Sequence, residues 1–354
     1  GLWHGRTSLV LRPGSVEEGS RILRLASETG TPIVPQGGNT GLVGAQVPDA
    51  TGREVVLSLT RLDRIREIDT ASNTVTVEAG VVLQVLQEAA DAAGRLFPLS
   101  LAAQGSCRIG GNLSSNAGGT GVLAYGNARE LCLGVEVVLP TGEVLDDLRK
   151  LKKDNTGYDL KNLFIGAEGT LGVVTAAVLK LFPRPKGREV AFAGMGSPEQ
   201  ALALFLSAAE RAGPALTAFE LIGQRPYDFT LRHAAGVARP LAGDWPWYAL
   251  IEISSGRSAE DARDLAEEIL GEGFEAGTVG DAVIAANLSQ AHAFWHFREV
   301  LPESQKPEGA SIKHDISVPV AAVPAFIAQA AAAVEKVCPG ARPVCFGHMG
   351  DGNL

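Results

Sequence analysis

The sequence predicts an α+β protein of two domains, with the boundary between residues 184 and 185. The chain has 354 residues, which at roughly 150 residues per domain corresponds to about two domains. Residues 182–187 (FPRPKG) contain two prolines and a glycine, and this composition interrupts both helix and strand. On each side of this break, segments with helical periodicity alternate with short β-branched runs.

Local signals place the elements of the first half in chain order. Ser15 and Glu18, followed by Gly30, predict a helix over 15–30, because serine caps the helix start and glycine ends it. A second helix over 82–93 ends before Gly94. Apolar and β-branched residues predict short strands over 32–35, 55–59, 74–77 and 173–181. Strands 133–139 and 143–148 form a hairpin around the turn residues Pro-Thr-Gly.

The second half predicts helices packed on an antiparallel sheet. The periodicity indicates helices over 198–212, 258–270 and 285–301, and strands over 215–221 and 247–254. The alanine-rich stretch 320–334 is interrupted by Pro324 and Gln329, so it predicts a packed helix. The sequence contains no run of 18 apolar residues and therefore predicts no membrane span.

Charge and cysteine content exclude several classes of protein. The chain carries 31 Lys+Arg and 40 Asp+Glu, a net charge of −9, which argues against nucleic-acid and polybasic membrane partners. The four cysteines form no CxxC pair and suggest reduced thiols. We therefore expect a cytoplasmic protein, or one of the mitochondrial matrix in a eukaryote. The missing initiator Met and the glycine-rich end suggest that the chain is cut at both termini.

Glycine clusters are the most informative feature. The chain contains 42 glycines, about 12% against a usual ~7%. They concentrate in residues 36–44, 105–126 and 166–172, where exposed amides can form anion-binding concavities for a phosphate or pyrophosphate. Tight turns in a β-rich domain are the alternative explanation. No G-x-x-x-x-G-K-[ST] motif occurs, so a P-loop is excluded.

These clusters resemble a known family. Residues 35–44 (PQGGNTGLVG) and 110–119 (GGNLSSNAGG) resemble the two FAD loops of the vanillyl-alcohol-oxidase-type (PCMH-type) FAD-binding fold. Residues 154–160 (DNTGYDL) and 163–172 (LFIGAEGTLG) are similar to the stretch near its isoalloxazine ring. Within this family the chain looks most like the dehydrogenases of D-2-hydroxyglutarate, D-lactate and glycolate.

The resemblance implies a two-subdomain FAD-binding domain over 1–184 and an antiparallel-sheet cap domain with flanking helices over 185–354, incomplete at its C-terminus. Relatives with a covalent flavin often carry His in the first loop, where this chain has Asn39 and Thr40, so we expect FAD to bind non-covalently. The implied cofactor-binding residues are Pro35, Gly37, Gly38, Asn39, Thr40, Gly41, Leu42, Gly44, Gly105, Gly110, Gly111, Asn112, Ser115, Asn116, Gly118, Gly119, Glu168, Gly169, Gly172 and Val173.

The same resemblance assigns chemistry to the second domain. His348 lies in FGHMGDGNL, which in the relatives helps to bind a divalent metal, and imidazole and carboxylate ligands suit zinc. The remaining ligands would lie outside this chain. Arg298 and Lys313 match a segment that anchors a substrate carboxylate, a task suited to a guanidinium. Pro302 stands where dicarboxylate-specific enzymes tend to have Thr, which departs from the 2-hydroxyglutarate pattern.

The implied reaction is oxidation of a D-2-hydroxy acid to the 2-oxo acid, with hydride transfer to flavin N5, metal assistance, an unidentified electron acceptor and a possible homodimer. Alternatives are an oxidase or transferase of the same fold, and a glycolate-oxidase-like subunit. His292 and His296 have metal-compatible i, i+4 spacing, but they lack the Glu of H-E-x-x-H and are expected to be packing or surface residues. The basic run 149–153, with acidic neighbours, is expected to be a solvated loop.

Overall fold

The computed structural model describes residues 3–354, which form two compact units. The first unit comprises the residues up to Gly119 and Tyr125–Arg184, and the second comprises Thr120–Ala124 and Pro185–Leu354. Gly1 and Leu2, which belong to the predicted first domain, lie outside the described residues.

The described residues of the first unit form ten strands and six α-helices. Its strands are β1 Val10–Leu11, β2 Ile33–Gln36, β3 Val55–Ser58, β4 Ile65–Asp69, β5 Thr74–Glu78, β6 Arg95–Leu96, β7 Cys132–Val138, β8 Val144–Asp147, β9 Val173–Lys180 and β10 Phe182–Pro183. Its helices are α1 Val16–Thr29, α2 Leu83–Ala92, α3 Ile109–Ser114, α4 Val122–Tyr125 (which begins in the segment grouped with the second unit), α5 Ala128–Leu131 and α6 Lys161–Phe164.

Two principal sheets organise the first unit. A parallel sheet has the strand order β1-β3-β2, and an antiparallel sheet has the order β4-β5-β9-β7-β8. The predicted hairpin is present, with Val138 opposite Val144. A large apolar core fills the space between the five-stranded sheet and helices α2, α3 and α5.

Helix α1 forms where its capping residues predict it. The Ser15 hydroxyl accepts a hydrogen bond from the Glu18 amide at 3.2 Å, and the Glu18 carboxylate accepts one from the Gly14 amide at 2.7 Å. Gly30 ends the helix with a left-handed φ of 65°, a conformation that costs glycine little. The contact with Ser15 satisfies the Glu18 amide, which has no partner within the first turn of the helix.

The second unit is built on one antiparallel sheet. Its strands are β11 Gly187–Met195, β12 Leu216–Gly223, β13 Trp247–Ser255, β14 Asp281–Ile284 and β15 Phe346–His348, in the order β14-β11-β13-β12-β15. Its helices are α7 Pro198–Ala212, α8 Gln224–His233, α9 Ala259–Glu275, α10 Leu288–Glu299, α11 Leu301–Ser304 and α12 Val323–Val337.

Alternating residues of this sheet face two separate cores. One core packs Ala191, Phe219 and Ile251 against helices α7 and α9. The other packs Phe192 and Tyr248 against helices α8, α10 and α11. This alternation follows from the two-residue period of a strand. The structure confirms the α+β class and the antiparallel sheet with flanking helices.

Two expectations for single segments are wrong. Phe182 and Pro183, expected to interrupt secondary structure, pair with Leu96 and Arg95. Helix α12, expected to be packed, buries only Val323 and Pro324 in its first turn. Residues Val320–Val337 are the one described stretch that is long and apolar enough to cross a membrane by length and composition alone, and 11% of it is buried.

Candidate active site

The glycine-rich loops meet in the first unit. A Cβ atom built on Gly38 would lie 2.2 Å from the carbonyl oxygen of Ser106, so the first loop passes directly against the second. The amide of Glu168 donates to the carbonyl of Ser114 at 2.9 Å, which ties the third loop to the second. The fold therefore gathers three segments that are far apart in the sequence.

The loops have the backbone geometry of an anion site. Each contains one non-glycine residue in the left-handed region: Asn39 (φ 55°), Asn116 (φ 49°) and Glu168 (φ 51°). Such residues turn successive amides toward one side and create an anion-binding concavity. Among the described residues, no protein acceptor receives a hydrogen bond from the amides of residues 37–41.

The residues around these loops fit the cofactor that the resemblance implies. Leu42 and Val43 are 81% and 70% exposed, so the first loop presents apolar surface beside free amides. A pyrophosphate would supply acceptors for the amides, and a flavin or adenine ring would cover apolar side chains.

The structure divides the predicted cofactor residues into two groups. Four of them are buried and pack within the unit: Gly110, Asn112, Gly172 and Val173. The others keep at least partial exposure: Pro35, Gly37, Gly38, Asn39, Thr40, Gly41, Leu42, Gly44, Gly105, Gly111, Ser115, Asn116, Gly118, Gly119, Glu168 and Gly169. The partly exposed residues are therefore accessible to the cofactor, while the four buried residues support the shape of the loops.

A second cluster lies in the second unit around Glu220, on strand β12. Its carboxylate is 1% exposed. Oε2 accepts a hydrogen bond from Nε of Arg298 at 2.7 Å, and Oε1 lies 2.7 Å from Nδ1 of His348. Arg298 comes from helix α10, while His348 is the residue opposite Glu220 on the neighbouring strand β15. The structure therefore brings together two of the three predicted catalytic residues.

Arg298 keeps donors free for a ligand. The residue is 7% exposed, and its guanidinium lies 5.1 Å from the centre of the Phe346 ring. Its Nε atom is bonded to Glu220, while Nη1 and Nη2 donate to no acceptor among the described residues and are not fully enclosed. Two parallel N–H groups at the end of a guanidinium match the two oxygens of a carboxylate.

His348 is oriented by the same carboxylate. Because an ionised carboxylate only accepts hydrogen bonds, Nδ1 of His348 is the donor to Glu220. The lone pair of the neutral imidazole then lies on Nε2, which has no partner among the described residues. The arrangement presents a hydrogen-bond acceptor close to the donors of Arg298.

The charge state of Glu220 follows from these contacts. Burial favours the neutral acid and raises the pKa, but the charge of Arg298 and the hydrogen bonds from Arg298 and His348 outweigh it and hold the pKa of Glu220 below its ordinary value. Glu220 is therefore ionised at neutral pH.

The pKa of the nearby Asp351 carboxyl is shifted in the opposite direction. Burial raises this pKa, while the Asn353 amide and His348 oppose the change.

Lys313, the third predicted catalytic residue, lies outside this cluster. Its ammonium donates to the carbonyl of Pro302 at 3.1 Å and is exposed. Pro302 is the second residue of the short helix α11, which follows the helix that carries Arg298. His292 and His296 are exposed on helix α10, in agreement with the surface role expected for them.

The basic run 149–153 is a solvated loop, as expected. Residues 151–153 are exposed, and Arg149 pairs with Asp154 at 2.8 Å.

The metal prediction gains no support from these residues. Among residues 3–354, no group of three or more His, Cys, Asp and Glu side chains could hold a metal ion. His348 offers one imidazole nitrogen, whereas a protein metal site needs three or four ligands. The described residues by themselves do not form a metal site.

Glu220 is the residue of this cluster that the sequence analysis did not identify. It lies within the predicted strand 215–221, between Phe219 and Leu221, and the surrounding residues are apolar. A single carboxylate in a fully buried strand requires a partner. An acidic residue inside an apolar predicted strand was therefore the sequence feature that could have identified Glu220. Its partners, Arg298 and His348, are 78 and 128 residues away, and local patterns do not identify them.

Comparison with known proteins defines the class. The family described as "FAD binding domain" matches residues 7–147, and "FAD linked oxidases, C-terminal domain" matches residues 184–354. An alkyldihydroxyacetonephosphate synthase structure is similar with a TM-score of 0.70 and 19% identity, over 92% of this chain and 65% of that one. p-Cresol methylhydroxylase is similar with a TM-score of 0.65 and 17% identity, over 82% and 60%. These likenesses confirm the PCMH-type fold.

Curated relatives define the family more closely. A protein of Oryza sativa subsp. indica named probable D-2-hydroxyglutarate dehydrogenase, mitochondrial, is 39% identical over the whole of this chain and 62% of its own length. A D-2-hydroxyglutarate dehydrogenase of Xanthomonas citri pv. viticola is 38% identical over 99% of this chain and 73% of its own length. The chain belongs to the family of FAD-linked oxidoreductases that contains the D-2-hydroxyglutarate dehydrogenases, and it spans 62% of the length of the rice relative.

Proposed function

We propose that the protein is an FAD-dependent dehydrogenase that oxidises a D-2-hydroxy acid to the corresponding 2-oxo acid. The observation that carries the proposal is the buried Arg298, whose two terminal nitrogens are free, held by the same carboxylate as His348. The names of the curated relatives support the substrate class. In this proposal residues 1–184 bind FAD and residues 185–354 bind the substrate.

The cofactor would be held by the three gathered loops. The free amides of residues 37–41 would bind the pyrophosphate, and the left-handed residues Asn116 and Glu168 would shape the other two sides of the cradle. When bound, FAD accepts the hydride that leaves the substrate Cα. The first loop contains no histidine, which supports non-covalent binding.

The residues of the second unit would bind and orient the substrate. Nη1 and Nη2 of Arg298 would each donate to one oxygen of a substrate carboxylate. Nε2 of His348 would accept the hydrogen bond of the substrate hydroxyl and take up its proton as the Cα hydrogen departs. Lys313 would add a second cation for the carboxylate if its loop brings the ammonium toward Arg298.

The substrate would be of the 2-hydroxyglutarate or lactate class. Both acids carry the carboxylate and the neighbouring hydroxyl that the Arg298 and His348 pair can bind. Pro302 supplies no side-chain hydrogen bond for a second, distal carboxylate, whereas a threonine would. This difference favours the smaller substrate, and comparison of kcat/KM for D-lactate and D-2-hydroxyglutarate measures it.

We also propose that the protein has no membrane span, and helix α12 does not change this proposal. Six of the 15 residues of α12 are alanines, which are only weakly apolar. Val323 is buried in the second unit, with Ile327 packed beside it. For location we propose the cytoplasm or, in a eukaryote, the mitochondrial matrix, as the names of the plant relatives suggest.

The cofactor part of the proposal predicts a specific result. Purified full-length protein should show yellow flavin absorbance, and acid precipitation should release the flavin into the supernatant, because no covalent bond holds it. The measurement is an absorbance spectrum before and after precipitation. Flavin that stays in the pellet would contradict non-covalent binding, and a folded protein that takes up no added FAD would overturn the proposal.

A further inference from the structure

We propose that Glu220 is a positioning residue that fixes Arg298 and His348 relative to each other, with one carboxylate oxygen assigned to each. The inference rests on the proposed function, because it concerns how the substrate-binding groups are held. Glu220 itself touches neither substrate nor cofactor in this proposal.

The geometry gives each oxygen of Glu220 a separate task. Oε2 receives the Nε–H of Arg298, and Oε1 receives the Nδ1–H of His348, both at 2.7 Å. With Nε bound to Glu220, the outer edge of the guanidinium, formed by one N–H each of Nη1 and Nη2, stays available for a ligand. Binding Nδ1 likewise leaves Nε2 at the far side of the imidazole. One buried carboxylate therefore sets the direction of both free edges.

The chemistry of a carboxylate is required for this task. A glutamine side chain has one acceptor oxygen and a donor NH₂ group, so it can accept from Arg298 or from His348 but not from both. An aspartate retains both acceptor oxygens and the charge but is one methylene shorter. Neither substitution reproduces the two contacts at the observed separation from strand β12.

A second buried carboxylate in the same sheet provides a matched control. Glu252 on strand β13 is 8% exposed and accepts hydrogen bonds from Arg188, Thr217 and Trp295. Its cation, Arg188, is half exposed, and no contact joins Glu252 to Arg298 or His348 among the described residues. Glu252→Gln therefore removes a buried charge from the sheet while the proposed substrate-binding pair stays in place.

Positioning can be distinguished from a simple effect of charge. The negative charge of Glu220 opposes binding of an anion at Arg298. If charge alone mattered, Glu220→Gln would tighten anion binding and Glu220→Asp would resemble the wild type. If Glu220 positions the two groups, both variants bind an anion more weakly.

The experiment uses the full-length, FAD-loaded protein and the variants Glu220→Gln, Glu220→Asp and Glu252→Gln. Binding of pyruvate and 2-oxoglutarate is measured by calorimetry, alongside KM and kcat for the D-2-hydroxy acid and thermal unfolding. We expect both Glu220 variants to weaken 2-oxo-acid binding and raise KM by about 10–100-fold, the order expected when a hydrogen bond to a charged group is lost. Glu252→Gln should lower stability and leave binding and KM unchanged.

Two outcomes would overturn the inference: tighter binding in Glu220→Gln with normal binding in Glu220→Asp, or equal binding losses in Glu220→Gln and Glu252→Gln. Failure of the proposed function looks different, because the wild-type protein itself would then neither bind the 2-oxo acids nor oxidise the hydroxy acids.

Discussion

Replacing Arg298 by lysine is expected to raise KM for the 2-hydroxy acid strongly. Lysine retains the positive charge beside Glu220 but loses the planar pair of donors that would grip a carboxylate. The lost charge-assisted hydrogen bond contributes about 1.5–3 kcal/mol, which corresponds to about 10–100-fold in KM. Steady-state kinetics on full-length Arg298→Lys provides the measurement.

The control for this variant is Arg188→Lys. Arg188 pairs with Glu252 in the same sheet and has no role in the proposed substrate site, so its replacement should leave KM unchanged. FAD content should be normal in both variants, since the cofactor loops belong to the first unit. An Arg298→Lys enzyme with wild-type KM and kcat would show that the guanidinium does not anchor the substrate.

Replacing Gly38 by alanine is expected to cause a large loss of FAD. The new Cβ atom would lie 2.2 Å from the carbonyl oxygen of Ser106 and 3.0 Å from Cα of Cys107. Because these are backbone atoms, the first loop must move away from the second. Overpacking typically costs about 1–3 kcal/mol, so we expect the FAD dissociation constant to rise by about 5- to 150-fold.

Gly19→Ala is the matched control for this substitution. Gly19 lies in helix α1 of the same unit, and a Cβ built there would meet Val138 at 4.0 Å, an ordinary contact. This variant should retain FAD and gain roughly 0.5–1 kcal/mol of stability, because alanine favours a helix. Fluorescence titration of the apoproteins with FAD measures the affinity, and denaturant unfolding measures the stability. Wild-type affinity in Gly38→Ala would contradict the proposed cradle.

The sequence predicted well those elements whose causes are local. Helix α1 depends on Ser15, Glu18 and Gly30, all within 16 residues, and the hairpin of β7 and β8 depends on its Pro-Thr-Gly turn. The glycine clusters indicated an anion site because their conformational freedom is a property of the residue itself. In such cases the residues that determine an element lie in the same short segment as the element itself.

Elements that depend on distant partners were missed. Strand β11 follows directly after the proline-rich break and contains several alanines and glycines, and it forms because it pairs along its whole length with β13. Strand β15, Phe346–His348, contains a glycine and pairs with β12. That pairing places His348 opposite Glu220 and thereby builds the candidate site.

The family resemblance found residues that spacing alone did not. Nothing local distinguishes Arg298 from a surface arginine of an amphipathic helix, yet it is buried beside Glu220. Lys313, singled out by the same resemblance, lies exposed against the carbonyl of Pro302. The resemblance supplied candidate residues, and the structure supplied the carboxylate that connects two of them.

The most direct test of the central claim is anaerobic reduction of the bound flavin by substrate. D-lactate or D-2-hydroxyglutarate is added without oxygen to purified, FAD-loaded full-length protein, and the yellow flavin absorbance is followed. We predict that at least one of these acids bleaches the flavin and yields the 2-oxo acid in equal amount, while its L-enantiomer leaves the absorbance unchanged. A flavin that dithionite bleaches but neither D-acid reduces would contradict the account.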